Sequence, residues 1–340
     1  MKKLHIAALA VIAMVAAAGC QSQGAAGKAS GNFKGETINL VVPFDPGGGY
    51  DSYARQLAPA LGKELGAKVV VVNKPGAGGL LAMNELSSAK PDGTTLEILN
   101  MTGAVGSALA GADGVKYKPQ DFSYVGQIAS EPDVVIAAKK GAIKSSADLV
   151  AAAQKGGLRF AATGPGSNEY VDPLVLSKAL GVNNKIVTGF AGSGEAALAL
   201  LQGHVDAYSR SLGSQLPTIK SGDGIPILVL GSKPVAQFPD VPTMLDVAGD
   251  AASKEMLQFH AHLLESGRTI AAPPKMDQAR LAELRDAFAK VVQEADFVAE
   301  GEKAGRPIVY KSGADVAKTV DELMNPPAAY VDILKAAYQG

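Results

Sequence analysis

The chain has 340 residues, a formal net charge of −1, one cysteine and no tryptophan. With 32 basic against 33 acidic residues, and few, scattered aromatics, it lacks the basic surface that holds nucleic acid. A single cysteine excludes an internal disulfide, so a packed core must carry stability.

In chain order, Lys2 and Lys3 precede an unbroken apolar run over 6–18, followed by Gly19-Cys20-Gln21-Ser22. A short basic region, a short apolar region and small residues describe a secretory signal. The run is too short to span a bilayer comfortably as a mature helix. Ala17-Ala18-Gly19-Cys20 resembles a bacterial lipoprotein box, with Ala17 where leucine is usual. Cys20 would then be the lipid-modified first residue of the mature protein. The alternative is an ordinary secretory signal with an incidental cysteine. Gln21 is not the Asp that resembles an inner-membrane retention signal. Residues 1–19 are therefore expected to be signal, and 20–34, rich in Gly, Ala, Ser and Gln, a flexible tether. Removing Lys2 and Lys3 takes the formal charge from −1 to −3. The rest is long enough for two domains. No second long apolar segment follows, so the mature part is expected to be soluble and outside the cytoplasm.

Beyond the tether, short apolar runs alternate with segments of helical period. Strands are predicted at 38–42, 68–72, 96–100, 124–128, 134–138, 159–162, 185–187, 207–209 and 227–230. Helices are predicted at 52–65, 80–89, 147–155, 169–180, 195–202 and 214–220. Ser145 with Asp148 reads as a capping box, and Pro59 should kink the first helix unless it starts late. The alternation argues for α/β layers with mostly parallel sheets, whose ligands sit beyond the carboxyl ends of the strands. The last third is helical: Leu281, Leu284, Phe288 and Val291 share one face of 277–294. Ser312 with Asp315 caps another helix, and Pro326-Pro327 opens a last one. A chain that crosses from one α/β unit to a second and returns suggests two lobes and a hinge.

Four glycine loops precede helices: 43–51, 73–79, 163–168 and 189–195. Glycine lets backbone N–H groups approach a ligand, and a helix start adds unpaired donors and a positive dipole end. Such loops suit an anionic group. Asp51 is placed to cap the first helix, with Arg55 one turn on as its pairing partner. A nucleotide is disfavoured. Ser52 and Leu81 stand where glycine would complete a dinucleotide fingerprint, and Glu195 holds the lysine position of a P-loop. No G-x-S-x-G elbow occurs. Ser167 and Ser193 are the available hydroxyls, with no evident base. His260 and His262 could share a strand face as metal ligands, but no Cys, Asp or Glu spacing completes a site. An ordinary hydrogen-bonded role suits both, and a helix-end role suits His204. Arg210, after the strand at 207–209, could grip a carboxylate bidentately, or it could be a surface or ion-paired arginine. Arg268 belongs either to the hinge or to a surface turn.

Pro43-Phe44-Asp45-Pro46-Gly47-Gly48-Gly49-Tyr50-Asp51 through Ala54-Arg55 resembles the signature loop of the Bug-type extracytoplasmic solute receptors of tripartite tricarboxylate transporters. The resemblance continues, in order, in Asn73-Lys74-Pro75-Gly76-Ala77-Gly78-Gly79 and Lys90-Pro91-Asp92-Gly93-Thr94-Thr95-Leu96. It appears again in Phe190-Ala191-Gly192-Ser193-Gly194-Glu195 through Asp206, and in Phe238-Pro239-Asp240-Val241-Pro242-Thr243-Met244. It covers about residues 36–249. Phe259-His260-Ala261-His262 departs from the aromatic, glycine and apolar run usual there, and Tyr50 is bulkier than the small polar residue often found.

The resemblance implies a two-lobed, type II Venus-flytrap fold of the periplasmic-binding-protein kind. Lobe 1 is expected at 35–135 plus 235–340, and lobe 2 at 136–234. It implies that a ligand carboxylate is gripped largely by backbone N–H groups. These come from the first loop (Phe44, Asp45, Gly47, Gly48, Gly49, Tyr50, Asp51) and from Thr163, Gly164, Gly166, Ser167 and Asn168. Gly78, Phe190, Gly192 and Ser193 are expected nearby. The ligand's far end would meet loops at Thr102-Gly103 and Arg210-Ser211. Tyr50 could stack on an aromatic, pack over a long chain or close the cleft mouth. The expected function is capture of a small di- or tricarboxylate, aromatic acids included, for membrane carrier subunits. The expected protein is a lipid-anchored binding protein of the bacterial periplasm, with no catalysis, cofactor, metal or nucleic acid. A periplasmic enzyme or a sensory lipoprotein on the same fold is the alternative.

Overall fold

The computed structural model describes residues 32–165 and 167–339. The signal segment, Cys20 and Gly166 lie outside the described residues. In chain order the elements are β1 (Thr37–Val42), α1 (Gly49–Leu65), β2 (Lys68–Asn73), α2 (Leu80–Ser88), β3 (Thr95–Asn100) and α3 (Met101–Ala110). Then come β4 (Ser123–Ala129), β5 (Asp133–Ala138), α4 (Ser146–Lys155), β6 (Arg159–Ala161), α5 (Asn168–Leu180) and β7 (Lys185–Val187). Next are α6 (Ser193–Leu201), β8 (Ala207–Ser211), α7 (Leu212–Lys220), β9 (Gly224–Leu230), α8 (Ala251–Glu265) and β10 (Arg268–Ala272). The chain ends in α9 (Gln278–Gln293), α10 (Ala295–Lys303), β11 (Lys311–Ser312), α11 (Gly313–Leu323) and α12 (Ala328–Gln339).

The strands form two sheets, ordered β11-β4-β10-β3-β1-β2 and β7-β6-β8-β5-β9. The two repeat one plan. In each, three strands run parallel, with β1 between β2 and β3 and β6 between β7 and β8. The next strand is antiparallel to both neighbours: β10 in the first sheet, β5 in the second. These strands carry the chain across between sheets, so each enters against the local direction. The sheets are therefore mixed, where the alternation of strands and helices alone predicted mostly parallel ones. The strands β10 and β11 and the helices α3 and α8 carry no prediction. Arg268-Thr269-Ile270-Ala271-Ala272 is too short and too polar at its start to read as a strand without its neighbours.

Helix α1 starts at Gly49, three residues earlier than predicted, and continues through Pro59. It buries Tyr53, Leu57 and Leu61, spaced by one turn, against the first sheet. Full burial of such side chains stabilises by about 1.5–3 kcal/mol each. The predicted cap at Ser145 is present, with its side chain accepting from the Asp148 N–H at 3.1 Å. Ser312 caps α11 in the same way. The second sheet has its own cluster around Val134, Ile136, Tyr208 and Val229. A third apolar cluster joins Leu99 and Val105 of the first sheet's side to Val171 and Leu176 of α5, with Leu257 of α8 and Tyr330 of α12. The two halves are thus tied behind the strand crossings by a helical layer. Among the described residues, no helix is long and apolar enough to cross a membrane.

Candidate functional site

The loops after β1, β2, β6 and β7 converge between the sheets. Phe44, Asp45, Gly78, Thr163 and Phe190 line one cavity of about 250 Å3. Asp45, Gly47, Gly48, Gly192, Ser193 and Arg210 line a neighbouring one of about 320 Å3. The loops nearly touch: a Cβ on Gly164 would lie 3.6 Å from the Gly78 nitrogen, and one on Gly48 would lie 3.5 Å from Ser193 Oγ.

The first loop is held by Asp51. Its carboxylate accepts from the Gly47 N–H at 2.9 Å, Arg55 Nε at 2.8 Å and Asn73 Nδ2 at 3.0 Å. Asn73 Nδ2 also donates to the Phe44 carbonyl at 3.0 Å. Burial opposes ionisation of Asp51, but the Arg55, Gly47 and Asn73 bonds prevail and hold its pKa below the usual carboxylate range. The expected Asp51–Arg55 pairing is therefore present. The expected cap is not: the N-cap is Gly48, without a side-chain bond, and Asp51 reaches back from the first turn to Gly47. This geometry needs Gly47 at φ 90°, a conformation costly for other residues. It leaves the first-turn N–H groups of α1 without intrahelical acceptors. Gly192 caps α6 on the opposite side, also without a side-chain bond. Two helix N-termini thus face each other at the Gly48–Ser193 approach, and both favour an anion.

Arg210 supplies a full positive charge. It is 3% exposed, its Nη1 donates to Glu169 Oε1 at 3.0 Å, and its guanidinium lies 5.3 Å from the Phe44 ring centroid. Burial disfavours its charge, but the Glu169 carboxylate outweighs this and raises its pKa. Its Nε has no hydrogen-bond partner. Arg210 is both an ion-paired residue and part of a cavity wall, combining two roles the sequence left open. Glu169 also accepts from Thr163 Oγ1 at 2.8 Å, which fixes the loop after β6.

Several expected contacts lie elsewhere. Tyr50 is buried beside Phe44, with ring centroids 5.0 Å apart, and its hydroxyl donates to Asn100 Oδ1 at 3.2 Å. It is core under the loop and does not cover the mouth; burial pushes its pKa up. Thr102 and Gly103 sit in the first turn of α3, buried, where a loop was expected. They line none of the cavities described. Ser167 Oγ donates to the Gly164 carbonyl at 2.7 Å, and Asn168 Nδ2 to Asp133 at 3.0 Å. Ser211 turns to the hinge, accepting from Arg268 Nη2 at 2.7 Å.

Arg268 resolves to the hinge. It is buried between the rings of Tyr50 and Tyr53, at 4.8 and 4.7 Å, and pairs with Glu131 at 3.0 Å. Glu131 lies between β4 and β5, and also accepts from Tyr53 Oη at 2.7 Å and the Gly213 N–H at 3.1 Å. Both chain crossings, α1 and the β8–α7 turn therefore meet at one ion pair. Sequence reasoning missed Glu131 and Asp133. Their signal is two acids, with Pro132 between them, set between two apolar strands.

His260 and His262 are on α8, so two positions apart they point to different faces. His260 bonds to Asp172 at 3.0 Å and to Tyr330 at 2.8 Å. Burial lowers its pKa to about 4 and raises that of Asp172 to about 7. Asp133 is pushed well above the carboxylate range by burial and by the Asp172 charge. Neither serine of the cleft has a base: Ser193 Oγ is buried with no partner, and Ser167 is bound to a carbonyl.

Residues 53–333 match the family described as Tripartite tricarboxylate transporter family receptor. Protein BugT of Bordetella pertussis is 31% identical over 213 residues, which is 62% of this chain. The match spans 65% of BugT's own length. MatC from Rhodopseudomonas palustris, solved with bound malate, is 26% identical, with a TM-score of 0.74 over 88% of this chain and 99% of that one. The periplasmic binding protein BugD has the same TM-score, 0.74, at 23% identity over 89% and 97% of the two chains, a likeness of fold. The two sheets and their crossings form the two-lobed periplasmic-binding-protein fold of these structures.

Proposed function

We propose that this chain, which belongs to the tripartite tricarboxylate transporter family of receptors, captures a small organic di- or tricarboxylate for a membrane carrier. The observation that carries this reading is Arg210. Its guanidinium bounds the cleft beside two facing helix N-termini while only Nη1 is bound by Glu169 and Tyr208. An anion there meets backbone N–H groups and a delocalised cation. Malate in MatC supports the same class of ligand. The lobes, 35–135 with 235–340 and 136–234, would close on the ligand about the Glu131–Arg268 joint. Cys20 would anchor the protein by lipid to a membrane facing the periplasm.

A thermal-shift screen against mono-, di- and tricarboxylates tests the reading. A true ligand at 100 times its Kd adds about 2.7 kcal/mol of stability. Response to amines or neutral sugars alone would sink it. Arg210→Gln combined with Glu169→Gln removes both charges, so neither is left buried alone. The pair should weaken a dicarboxylate by about 2–5 kcal/mol and a monocarboxylate much less. Equal losses would assign Arg210 to structure.

A further inference from the structure

A further cavity of about 380 Å3 adjoins the Arg210 one and shares Gly47, Gly48, Ser193 and Gly194 with it as a common wall. Ser52 of α1 and Arg306, after α10, bound it from the first lobe. Ser193 of α6 with Ser214 and Lys220 of α7 bound it from the second. No carboxylate lines it. Glu131, close behind Gly213 of the lining, is already bound by Tyr53, Arg268 and the Gly213 N–H.

Lys220 and Arg306 line the same cavity from opposite sides. The Lys220 ammonium lies against the Gly305 backbone, where an added Cβ would be 3.8 Å from Nζ. Arg306 uses Nε on Gln56 Oε1 at 3.3 Å and has no ion-pair partner among the described residues. Lys220 is exposed at the rim, with no acid or hydrogen-bond acceptor among them, and Ser193 Oγ is buried without a partner. An arrangement of cations and hydroxyls with no acid is complementary to a small multi-oxygen anion, which satisfies both signs of demand at once.

We propose that this cavity is a second anion site, which takes a small carboxylate or phosphate and ties the lobes together in the closed arrangement. Because it draws ligands from both lobes, an anion there favours closure and, by linkage, raises affinity in the Arg210 cleft. That coupling rests on the carboxylate reading above; the site itself does not.

The test titrates inorganic phosphate against potassium chloride of equal ionic strength and follows the melting temperature. A saturable rise is expected in the wild type and in the Arg210→Gln/Glu169→Gln pair. It should vanish in Lys220→Gln/Arg306→Gln and persist in Lys220→Arg/Arg306→Lys. Each single Lys220→Gln or Arg306→Gln change should weaken it several-fold. Acetate behaving alike in the Arg210→Gln/Glu169→Gln background would extend the site to carboxylates. A rise that survives Lys220→Gln/Arg306→Gln, or is lost with Arg210 and Glu169, would overturn the proposal. So would no saturable rise in the wild type. Failure of the carboxylate screen with the phosphate response intact would remove the reading of the first cleft alone. Saturating phosphate should also raise the affinity of whichever carboxylate binds several-fold, and no change would overturn the coupling.

Discussion

Two buried arginines stand at the lobe interface, and they differ in what surrounds them. Arg268 is 2% exposed, paired with Glu131, bound to Ser211 and held between two tyrosine rings. Arg210 is 3% exposed and paired with Glu169, yet it forms part of a cavity wall. Burial alone does not separate them. The difference is that protein encloses Arg268 on every side that the contacts describe, whereas Arg210 has a cavity and a helix N-terminus in front of it. The first is suited to hold the joint, the second to hold a ligand.

The largest effect that would break this contrast is on stability. Arg268→Ala leaves Glu131 buried and unpaired, and should cost about 3–5 kcal/mol in urea denaturation. Arg268→Met with Glu131→Gln should cost much less and keep carboxylate binding. If that pair instead abolished binding while folding normally, Arg268 would belong to the cleft.

A smaller effect concerns what supports Arg210 from behind. Helix α5 carries Glu169 toward the arginine and, one turn on, Asp172 toward His260. The folded pKa of His260, about 4, lies below its ordinary value, so the unfolded chain takes up the extra proton between pH 6.5 and 4. His260 therefore contributes stability above that window and loses it as pH falls through it. Asp172, raised to about 7, acts oppositely: its ionisation costs the folded state stability as pH rises from 3.8 to 7. Asp133, also pushed well above the carboxylate range, adds to the Asp172 slope. His260→Gln removes the opposing slope, so its penalty should be about 2–3 kcal/mol greater at pH 7 than at pH 4.5. An equal penalty at both pH values would show that folding leaves the His260 pKa unshifted, and a greater one at pH 4.5 that His260 is charged when folded.

The smallest effect compares two adjacent glycines. A Cβ on Gly49 would lie 2.5 Å from Ser214 Oγ and 2.7 Å from Arg268 Nη2, against 3.5 Å to the nearest atom for Gly48. Gly49→Ala should cost the closed state about 1–3 kcal/mol, read as a larger radius of gyration in solution scattering. Gly48→Ala should leave the scattering curve unchanged. Equal behaviour would mean that the joint is no tighter than the cleft.

How far each region could be read differs in the same way. The loop at 43–51 was legible because its glycines, its following helix and its Asp51–Arg55 pair all lie within a dozen residues. The Arg268 joint was not, because Arg268, Glu131, Tyr53 and Ser211 come from four separate parts of the chain, and no local pattern links them. Tyr50 shows the limit within a legible loop. Its position was plain, but its direction, inward onto Phe44 and Asn100, depends in part on Asn100, 50 residues away. Thr102-Gly103 was misplaced because Met101-Thr102-Gly103-Ala104-Val105-Gly106 carries glycines that weaken helix propensity, which packing under α12 overrides.

By itself the sequence determined the alternation of strands and helices, the four glycine loops and the family to which the motifs belong, since each is a local pattern. Only the tertiary structure decided which charges meet. Ion pairs such as Glu131–Arg268 and Glu169–Arg210 join residues 137 and 41 positions apart. The first pair is set by where the crossing strands enter the two sheets, the second by the packing of α5 on β8, and no spacing along the chain encodes either.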